Sequence, residues 1–358
     1  MGLTVSIVVP VYNAGDSLAA CLEHIGKLSP APDECVIVDD GSGDASWAIA
    51  QRAGFKLIST GGRKGPAAAR NLGARAARGD ILLFLDADVL VSSDAVARIQ
   101  AHFAENAGLD GVSGSYDDQP GCPSFLSQYR NLLHCFIHQS SRPDTCTLWS
   151  ACGAIRREVF LEHGGFRECY RKPCIEDVDF GFRLRGAGRR LLLDKQLQVK
   201  HLKRWGFWQM LKTDLLDRAV PWTLLILRQR SLPADLNLRW EHRLSVLLVG
   251  LGVAATAFQM VSTVTTGEAP SSWPYWLGGG AVTALLLAAL NLGFYRFLAS
   301  RRGFWFALRC FPMHCLHFLS SGLGFALGLA LYPFQKQSEA RACAEARGPV
   351  QAARQAGE

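Results

Sequence analysis

Several common signatures of function are missing from this sequence of 358 residues. Its 11 cysteines have irregular spacings, and no second pair accompanies Cys169 and Cys174 at the spacing of a zinc site. The loop Gly61–Pro66 is glycine-rich and basic but has neither P-loop nor dinucleotide-binding spacing. The net charge of +7 comes from dispersed basic residues without a nucleic-acid-binding motif. We therefore predict no structural zinc and no nucleic-acid partner.

Secretory features are also missing. No basic segment and no long apolar stretch precede Asn13, so we expect no signal peptide and a first domain that stays in the cytoplasm. The odd number of cysteines fits reduced thiols in that compartment. The modest positive charge suits anionic phosphates or an anionic membrane surface as partners.

The first half of the chain alternates short apolar runs with helix-compatible segments. Ser6–Val11, Cys35–Val38 and Ile81–Leu85 have the composition of strands buried on both faces, and Ala67–Ala77 is typical of a helix. Strands that alternate with helices pack as a parallel sheet covered on both sides. We therefore predict an α/β fold with a mostly parallel sheet.

Two of these predicted strands end in acidic residues. Asp86 and Asp88 follow one strand, and Asp39 and Asp40 follow another. Ligands of open α/β sheets collect at the carboxyl ends of the strands, where unpaired buried charge is costly. Mg²⁺ or Mn²⁺ would offset that cost, because both ions bind carboxylates together with substrate phosphates. The alternative for Asp86 and Asp88 is an ordinary acidic turn.

Four motifs together resemble family 2 glycosyltransferases. In chain order they are Ser-Ile-Val-Val-Pro-Val-Tyr-Asn at 6–13, Val-Asp-Asp-Gly-Ser at 38–42, Ala-Arg-Asn-Leu-Gly at 69–73 and Phe-Leu-Asp-Ala-Asp at 84–88. The resemblance extends over roughly Leu3–Trp222. It implies a GT-A fold, in which a Rossmann-like, mostly parallel sheet is flanked by helices, and a nucleotide-diphosphate sugar as donor.

The resemblance also implies a set of donor contacts. Pro10 and Tyr12 would line the nucleotide pocket, and Asp40 would accept a hydrogen bond from the base. Arg70 is a further candidate for nucleotide contact, and Asp86 would lie near the ribose. The alternatives are a surface-loop side chain for Tyr12 and a solvated helix face for Arg70.

Metal binding is implied at two positions. By the resemblance, Asp88 would bind Mg²⁺ or Mn²⁺ on the diphosphate, and a histidine at the place of His201 often completes the site. The alternative for His201 is a solvated side chain beside two lysines.

His134 and His138 also have helical spacing, within a stretch where no element is evident, and we predict that they are core or partly buried side chains.

Glu176 and Asp177 match the Glu-Asp motif of the same family. Sugar transfer to a hydroxyl requires the acceptor to lose a proton as it attacks, and a carboxylate can remove it. The resemblance makes Asp177 the candidate base, with Glu176 supporting its orientation or binding the acceptor. The alternative is a helix N-terminus at which acids are favoured by the helix dipole, and Asp179 fits such a structural role.

The second half of the chain is apolar. Leu244–Val264, Tyr275–Phe294 and Cys310–Tyr332 are each long enough to cross about 30 Å of hydrocarbon, although His314, His317 and several glycines weaken the third. The two histidines fit lipid head-group contact and helix packing equally well. Before these segments, 202–222 mixes aromatic and basic residues, as helices in the headgroup region do. The alternative is an ordinary amphipathic helix that closes the sugar site, and the two are compatible.

Basic residues flank the predicted spans on one side. Arg228, Arg230, Arg239 and Arg243 precede the first span, and Arg296, Arg301 and Arg302 follow the second. The loop between these spans contains Glu268 and no basic residue. The positive-inside rule therefore places the catalytic domain in the cytoplasm, on a multi-pass protein of the inner (plasma) membrane.

The predicted organisation is a glycosyltransferase domain at 1–225, an interfacial linker at 226–243, two or three transmembrane helices at 244–334 and a polar, disordered tail at 335–358. The expected function is that of a membrane-anchored, bacterial-type inverting glycosyltransferase. It would transfer a sugar from a nucleotide-diphosphate donor to a hydroxyl of a lipid or lipid-linked acceptor. The alternatives are transfer to polyprenyl phosphate and a non-catalytic scaffold that binds nucleotide sugar.

Overall fold

The computed structural model of the chain describes residues 2–229, 239–266 and 273–346. The chain forms two compact units, one up to Gly206 and the other Phe207–Ala330. Three predicted features lie wholly or partly outside the described residues: the linker at 226–243, the loop with Glu268, and the tail, whose last part is 347–358. Residues 335–346 of that tail are helical.

The first unit contains eight strands and seven helices in its described part. The strands are β1 (Val5–Val11), β2 (Glu34–Asp39), β3 (Lys56–Ser59), β4 (Ile81–Leu85), β5 (Val89–Val91), β6 (Gly111–Tyr116), β7 (Cys152–Arg156) and β8 (Leu191–His201). The helices are α1 (Gly15–Ile25), α2 (Ser46–Arg52), α3 (Pro66–Ala76), α4 (Ala95–Glu105), α5 (Phe125–Ser140), α6 (Arg157–Glu162) and α7 (Glu176–Gly186).

All eight strands form one sheet in the order β3-β2-β1-β4-β7-β6-β8-β5. The first four of these strands pair in parallel, as the sequence predicts, and β6 is also parallel to β8. β7 runs antiparallel to β4 and β6, and β5 runs antiparallel to β8. The sheet is therefore parallel at one end and mixed at the other, because the apolar composition of a strand does not specify its direction.

Register explains why distant residues meet at one edge of this sheet. Val8 of β1 pairs with both Val36 of β2 and Phe84 of β4, so the acidic residues after β2 and β4 lie at the same edge. At the other side, Val89 pairs with His201, the last residue of β8. This pairing places the histidine directly beside the segment that contains Asp88.

The described elements of the second unit are all helices. It contains α8 (Phe207–Lys212), a π-helical segment (Thr213–Ala219), α9 (Val220–Gln229), α10 (Trp240–Thr266), α11 (Trp273–Leu290), α12 (Leu292–Arg302) and α13 (Phe304–Ala346). The long α13 continues beyond this unit. The predicted headgroup segment 202–222 therefore becomes helical only from Phe207 onward.

Two helices of this unit are long and apolar enough to span a membrane. They are α10, with 27 residues, and the part Phe304–Phe334 of α13, with 31 residues. The predicted second span, Tyr275–Phe294, instead includes a 73° bend between α11 and α12. If the bent pair α11–α12 crosses the membrane as one segment, the number of spans rises from two to three. The described residues thus support two or three spans, which is the predicted range.

The glycines of α13 have a packing role. A Cβ atom at Gly324 would collide with Ala219, and one at Gly328 would come within 2.7 Å of Thr223. Small residues allow this close approach of helix backbones where lipid provides no hydrophobic driving force. The glycines that weaken the third span in the sequence are therefore sites of helix contact.

Candidate active site

Asp40, after β2, anchors a neighbouring loop. Its carboxylate accepts hydrogen bonds from the Thr60 hydroxyl (2.9 Å) and from the backbone N–H groups of Lys64 and Gly65 (both 2.8 Å). Gly65 has a φ of 103°, and a Cβ there would strike the backbone of Arg171. The predicted contact between Asp40 and a nucleotide base remains a prediction.

Tyr12 lies beside this loop at the end of β1. Its side chain is 40% exposed, and the Arg63 guanidinium lies 4.3 Å from the ring centroid. Such a cation–π contact holds the loop over the tyrosine. Pro10, which is half-buried in β1 and pairs with Val38, lies two residues before Tyr12. Nothing in the sequence predicts this contact of Arg63, because a lone arginine in a glycine-rich loop carries no specific signal.

Arg70 links two of the predicted site acids. Its Nη2 lies 2.6 Å from Oδ1 of Asp86, and its Nη1 lies 3.0 Å from Oε1 of Glu176. The Arg70 side chain is only 5% exposed, so the alternative of a solvated helix face is wrong. Nucleotide contact by Arg70 stays a prediction, but in this geometry the guanidinium is the charge partner of both acids.

Burial and charge act in opposite directions on this cluster. Burial lowers the pKa of Arg70, but Asp86 and Glu176 outweigh it, so the net shift is upward and the guanidinium stays ionised. Burial raises the pKa of Glu176; Arg70 lowers it in part, and the charge of Asp177 raises it further. The cluster is therefore a buried ion pair in which Glu176 depends on Arg70 for its charge.

Asp177 has a different environment from Glu176. Its Oδ2 accepts hydrogen bonds from the backbone N–H (3.2 Å) and the hydroxyl (3.4 Å) of Ser150. The Asp177 side chain is half-buried, whereas Glu176 is buried at the start of α7. Of the two residues, Asp177 is the more accessible to solvent. Asp179 is fully buried between Arg167 and Arg183, which agrees with the predicted structural role.

His201 lies against Asp88 and is 7% exposed, so the alternative of a solvated histidine is wrong. Its Nε2 is 3.4 Å from Oδ2 of Asp88, and its Nδ1 is 2.8 Å from Oδ1 of Asn131. An amide oxygen only accepts hydrogen bonds, so Nδ1 carries a proton and Nε2 is directed at the carboxylate. Burial raises the pKa of Asp88, but His201 and Lys203 outweigh it and hold it below its usual value.

This pair fits a divalent cation. Nε2 of His201 and Oδ2 of Asp88 face each other across 3.4 Å, and an imidazole nitrogen and a carboxylate oxygen can both ligate a divalent cation. The described residues contain no cluster of three or more potential metal ligands. The remaining ligands would come from diphosphate oxygens and water, which is the usual arrangement for Mg²⁺.

Aromatic rings pack behind His201. Tyr116 stacks on the imidazole with 4.7 Å between the ring centroids, and Trp149 meets Tyr116 edge-on at 4.6 Å. His138 is buried and lies 4.8 Å from Trp149, while His134 is half-buried beside Tyr116. The predicted packing role of these two histidines is confirmed. Asn131 lies in the stretch 117–147, where the sequence showed no readable pattern, and Trp149 lies two residues beyond it.

Known proteins resemble this chain in sequence and show its family. The sequence model of Glycosyl transferase family 2 matches residues 6–164. An uncharacterized glycosyltransferase of Haemophilus influenzae is 35% identical over 187 residues, which are 50% of this chain and 69% of that protein. The chain belongs to glycosyltransferase family 2. The prediction made from the four motifs is thereby confirmed.

Other relatives match over less of their length. Glycosyltransferase GlyG of Streptococcus pneumoniae is 32% identical over 121 residues, which are 32% of this chain and 40% of GlyG. A second uncharacterized glycosyltransferase of H. influenzae is 30% identical over 192 residues, 50% of this chain and 61% of that protein. The chain therefore spans less than two thirds of the length of these two relatives. Membership of the family does not show that this chain uses the same substrates as they do.

A solved structure supports the GT-A fold of this family 2 chain. The mannosyltransferase PcManGT from Pyrobaculum calidifontis, in complex with GDP-Man and Mn²⁺, has a TM-score of 0.51 and 17% sequence identity. The alignment covers 94% of this chain and 89% of PcManGT. At this identity the similarity shows the fold alone.

Proposed function

We propose that this protein is a membrane-anchored inverting glycosyltransferase of the cytoplasmic face of the inner membrane. It transfers a sugar from a nucleotide-diphosphate donor to a hydroxyl of a lipid or lipid-linked acceptor. One observation carries the proposal: the Asp88–His201 pair and the half-buried Asp177, held by Ser150, occur in one unit together with the buried Arg70 cluster.

The donor half of the proposed site combines the loop anchored by Asp40 with the strand ends. Pro10, Tyr12 and Asp40 are the proposed nucleotide contacts, and Asp86 is the proposed ribose contact. Asp88 and His201 would hold Mg²⁺ or Mn²⁺ on the diphosphate, where the cation supplies charge stabilisation for the leaving group. The Mn²⁺ and GDP-Man of PcManGT support this assignment by similarity of fold.

The acceptor half depends on Asp177. We assign it as the base that takes the proton of the acceptor hydroxyl, with attack in line with the leaving diphosphate and inversion at the sugar carbon. Arg70 and Glu176 are positioning residues in this scheme. They fix the start of α7, and their ion pair joins it to Asp86 on the donor side.

The helical unit supports membrane anchoring. α10 and α13 have the length and composition of spans, and basic residues lie at the ends of two helices: Arg239 and Arg243 at the start of α10, and Arg301 and Arg302 at the end of α12. The positive-inside rule assigns such ends to the cytoplasmic side. A lipid or lipid-linked acceptor suits an enzyme anchored in this way.

The alternatives differ in their need for a base. A polyprenyl phosphate is already ionised and needs no proton acceptor, so the exposure of Asp177 and its bonds to Ser150 favour a hydroxyl acceptor. A non-catalytic scaffold would bind nucleotide sugar without turnover, and it gives no reason for the separate environments of Glu176 and Asp177.

The test uses purified full-length protein in detergent with membrane lipids and a panel of radiolabelled nucleotide sugars. We expect label in the lipid extract, and its loss in Asp88→Ala and Asp177→Asn but not in Glu105→Gln, which changes an exposed carboxylate at the end of α4. Near-normal transfer by Asp177→Asn would favour the polyprenyl-phosphate reading. Donor binding without any labelled product would favour the scaffold.

A further inference from the structure

Trp149 occupies a position between the two halves of the proposed site. The next residue, Ser150, donates two hydrogen bonds to Asp177, and the carbonyl of Ala151 accepts the backbone N–H of Asp86 at 3.3 Å. The segment 149–151 therefore contacts the proposed base on one side and the proposed donor site on the other. Trp149 as a residue is half-buried, so part of it is accessible to solvent.

The surrounding structure fixes the indole in place. The backbone N–H of Trp149 donates to the Ser113 hydroxyl at 3.0 Å, and its carbonyl accepts the N–H of Cys152 at 3.3 Å. The ring meets Tyr116 and His138 edge-on, and Tyr116 in turn stacks on His201. A rigid aromatic group loses little conformational entropy when a ligand binds to it.

The chemistry of this position selects among the classes of acceptor. A phosphate is recognised by cations and helix N-termini, and a plain alkyl chain by an extended apolar groove. The flat face of an indole matches the C–H face of a pyranose ring, while the hydroxyl groups at the ring edge remain free for polar partners such as Asp177.

We propose that Trp149 is the platform for the acceptor sugar, and that the acceptor is a lipid-linked saccharide or glycolipid whose pyranose ring stacks on the indole. The inference rests on the proposed function, because it assumes that Asp177 receives a proton from an acceptor hydroxyl. It deepens that function by excluding a simple lipid alcohol and a lipid phosphate as acceptors.

Kinetics of the purified full-length protein in detergent test this proposal. The probes are octyl hexopyranosides, dodecanol and a polyprenyl phosphate, each with the nucleotide sugar that the protein turns over. We expect transfer to at least one octyl hexopyranoside and none to dodecanol or polyprenyl phosphate. Trp149→Ala should raise the KM for the glycoside about tenfold, the scale of one aromatic contact, and Trp149→Phe should restore most of the loss.

Two controls separate stacking from folding. In Trp149→Ala the KM for the glycoside should change by a larger factor than the KM for the donor or the rate of slow donor hydrolysis, because only the glycoside contacts the indole directly, whereas the indole reaches the donor site through Tyr116 and His201. Trp47→Ala, which removes an indole that is 43% exposed on α2, should leave the KM for the glycoside unchanged.

The outcomes distinguish this inference from the proposed function. An unchanged KM for the glycoside in Trp149→Ala, or equal use of dodecanol or polyprenyl phosphate by the parent protein, overturns the platform and leaves glycosyl transfer intact. Equal losses in transfer and in donor hydrolysis would show that the tryptophan has only a structural role. Absence of both transfer and donor hydrolysis in the parent protein overturns the proposed function itself.

Discussion

Replacement of Arg70 by methionine tests the buried charge cluster. Methionine keeps the apolar bulk of the side chain but removes the partner of Glu176, whose side chain is 4% exposed. A buried charge that loses its partner costs about 3–5 kcal/mol. Asp86 adds little to this cost, because its side chain is 32% exposed and water can replace the lost partner.

The cost can be expressed as a melting temperature. For units of this size, each kcal/mol shifts the midpoint of unfolding by about 2–4 °C, so Arg70→Met should lower it by about 6–20 °C at neutral pH. The double variant Arg70→Met/Glu176→Gln removes both charges, while the glutamine oxygen can still accept the N–H of Cys174 that Glu176 Oε2 accepts at 2.9 Å. We expect it to recover most of the loss.

The single variant should also depend on pH. Burial raises the pKa of Glu176 above its usual value of 4.5, and loss of Arg70 raises it further. A carboxyl group with a raised pKa in the folded state favours folding when it is protonated. The defect of Arg70→Met should therefore be largest at neutral pH and should shrink as the pH falls toward 4.5, relative to the double variant.

The assay is thermal unfolding of the full-length protein in detergent, followed by near-UV circular dichroism at several pH values between 5 and about 8. The reasoning fails if Arg70→Met melts within about 2 °C of the parent protein at neutral pH. It also fails if the double variant is no more stable than the single one, because the cost would then come from lost packing and not from unpaired charge.

Three further predictions concern single contacts. Asn131→Ala should raise the Mn²⁺ concentration for half-maximal activity roughly 10–100-fold, because Asn131 orients His201, and an unchanged titration would contradict that role. Asp40→Asn should speed tryptic cleavage after Arg63 and Lys64, because the loop loses a charged acceptor for three hydrogen bonds; equal cleavage would show that other contacts hold the loop. Gly324→Leu should lower the melting temperature in detergent by its clash with Ala219, whereas Gly250→Leu, with no atom within 4 Å of the added Cβ, should not.

The sequence by itself determined the α/β class, the parallel half of the sheet and the position of the acids at the ends of β2 and β4. These features are local, because the composition of a strand and the residues that follow it are adjacent in the chain. The family was also evident at this level, since its motifs are short segments whose order is preserved. The direction of β7 could not be predicted from the sequence, because an apolar run has the same pattern whether its strand is parallel or antiparallel to its neighbours.

Only the tertiary structure decided which charges meet. Arg70 and Glu176 are 106 residues apart, and Asn131 and His201 are 70 apart, so no local pattern connects them. Their contacts follow from strand register and from the packing of α3, α5 and α7 against the sheet. In the sequence, His201 is a residue beside two lysines, and strand register is what places it against Asp88. Arg70 could equally lie on a solvated helix face, and only its burial shows that it is the charge partner of Asp86 and Glu176.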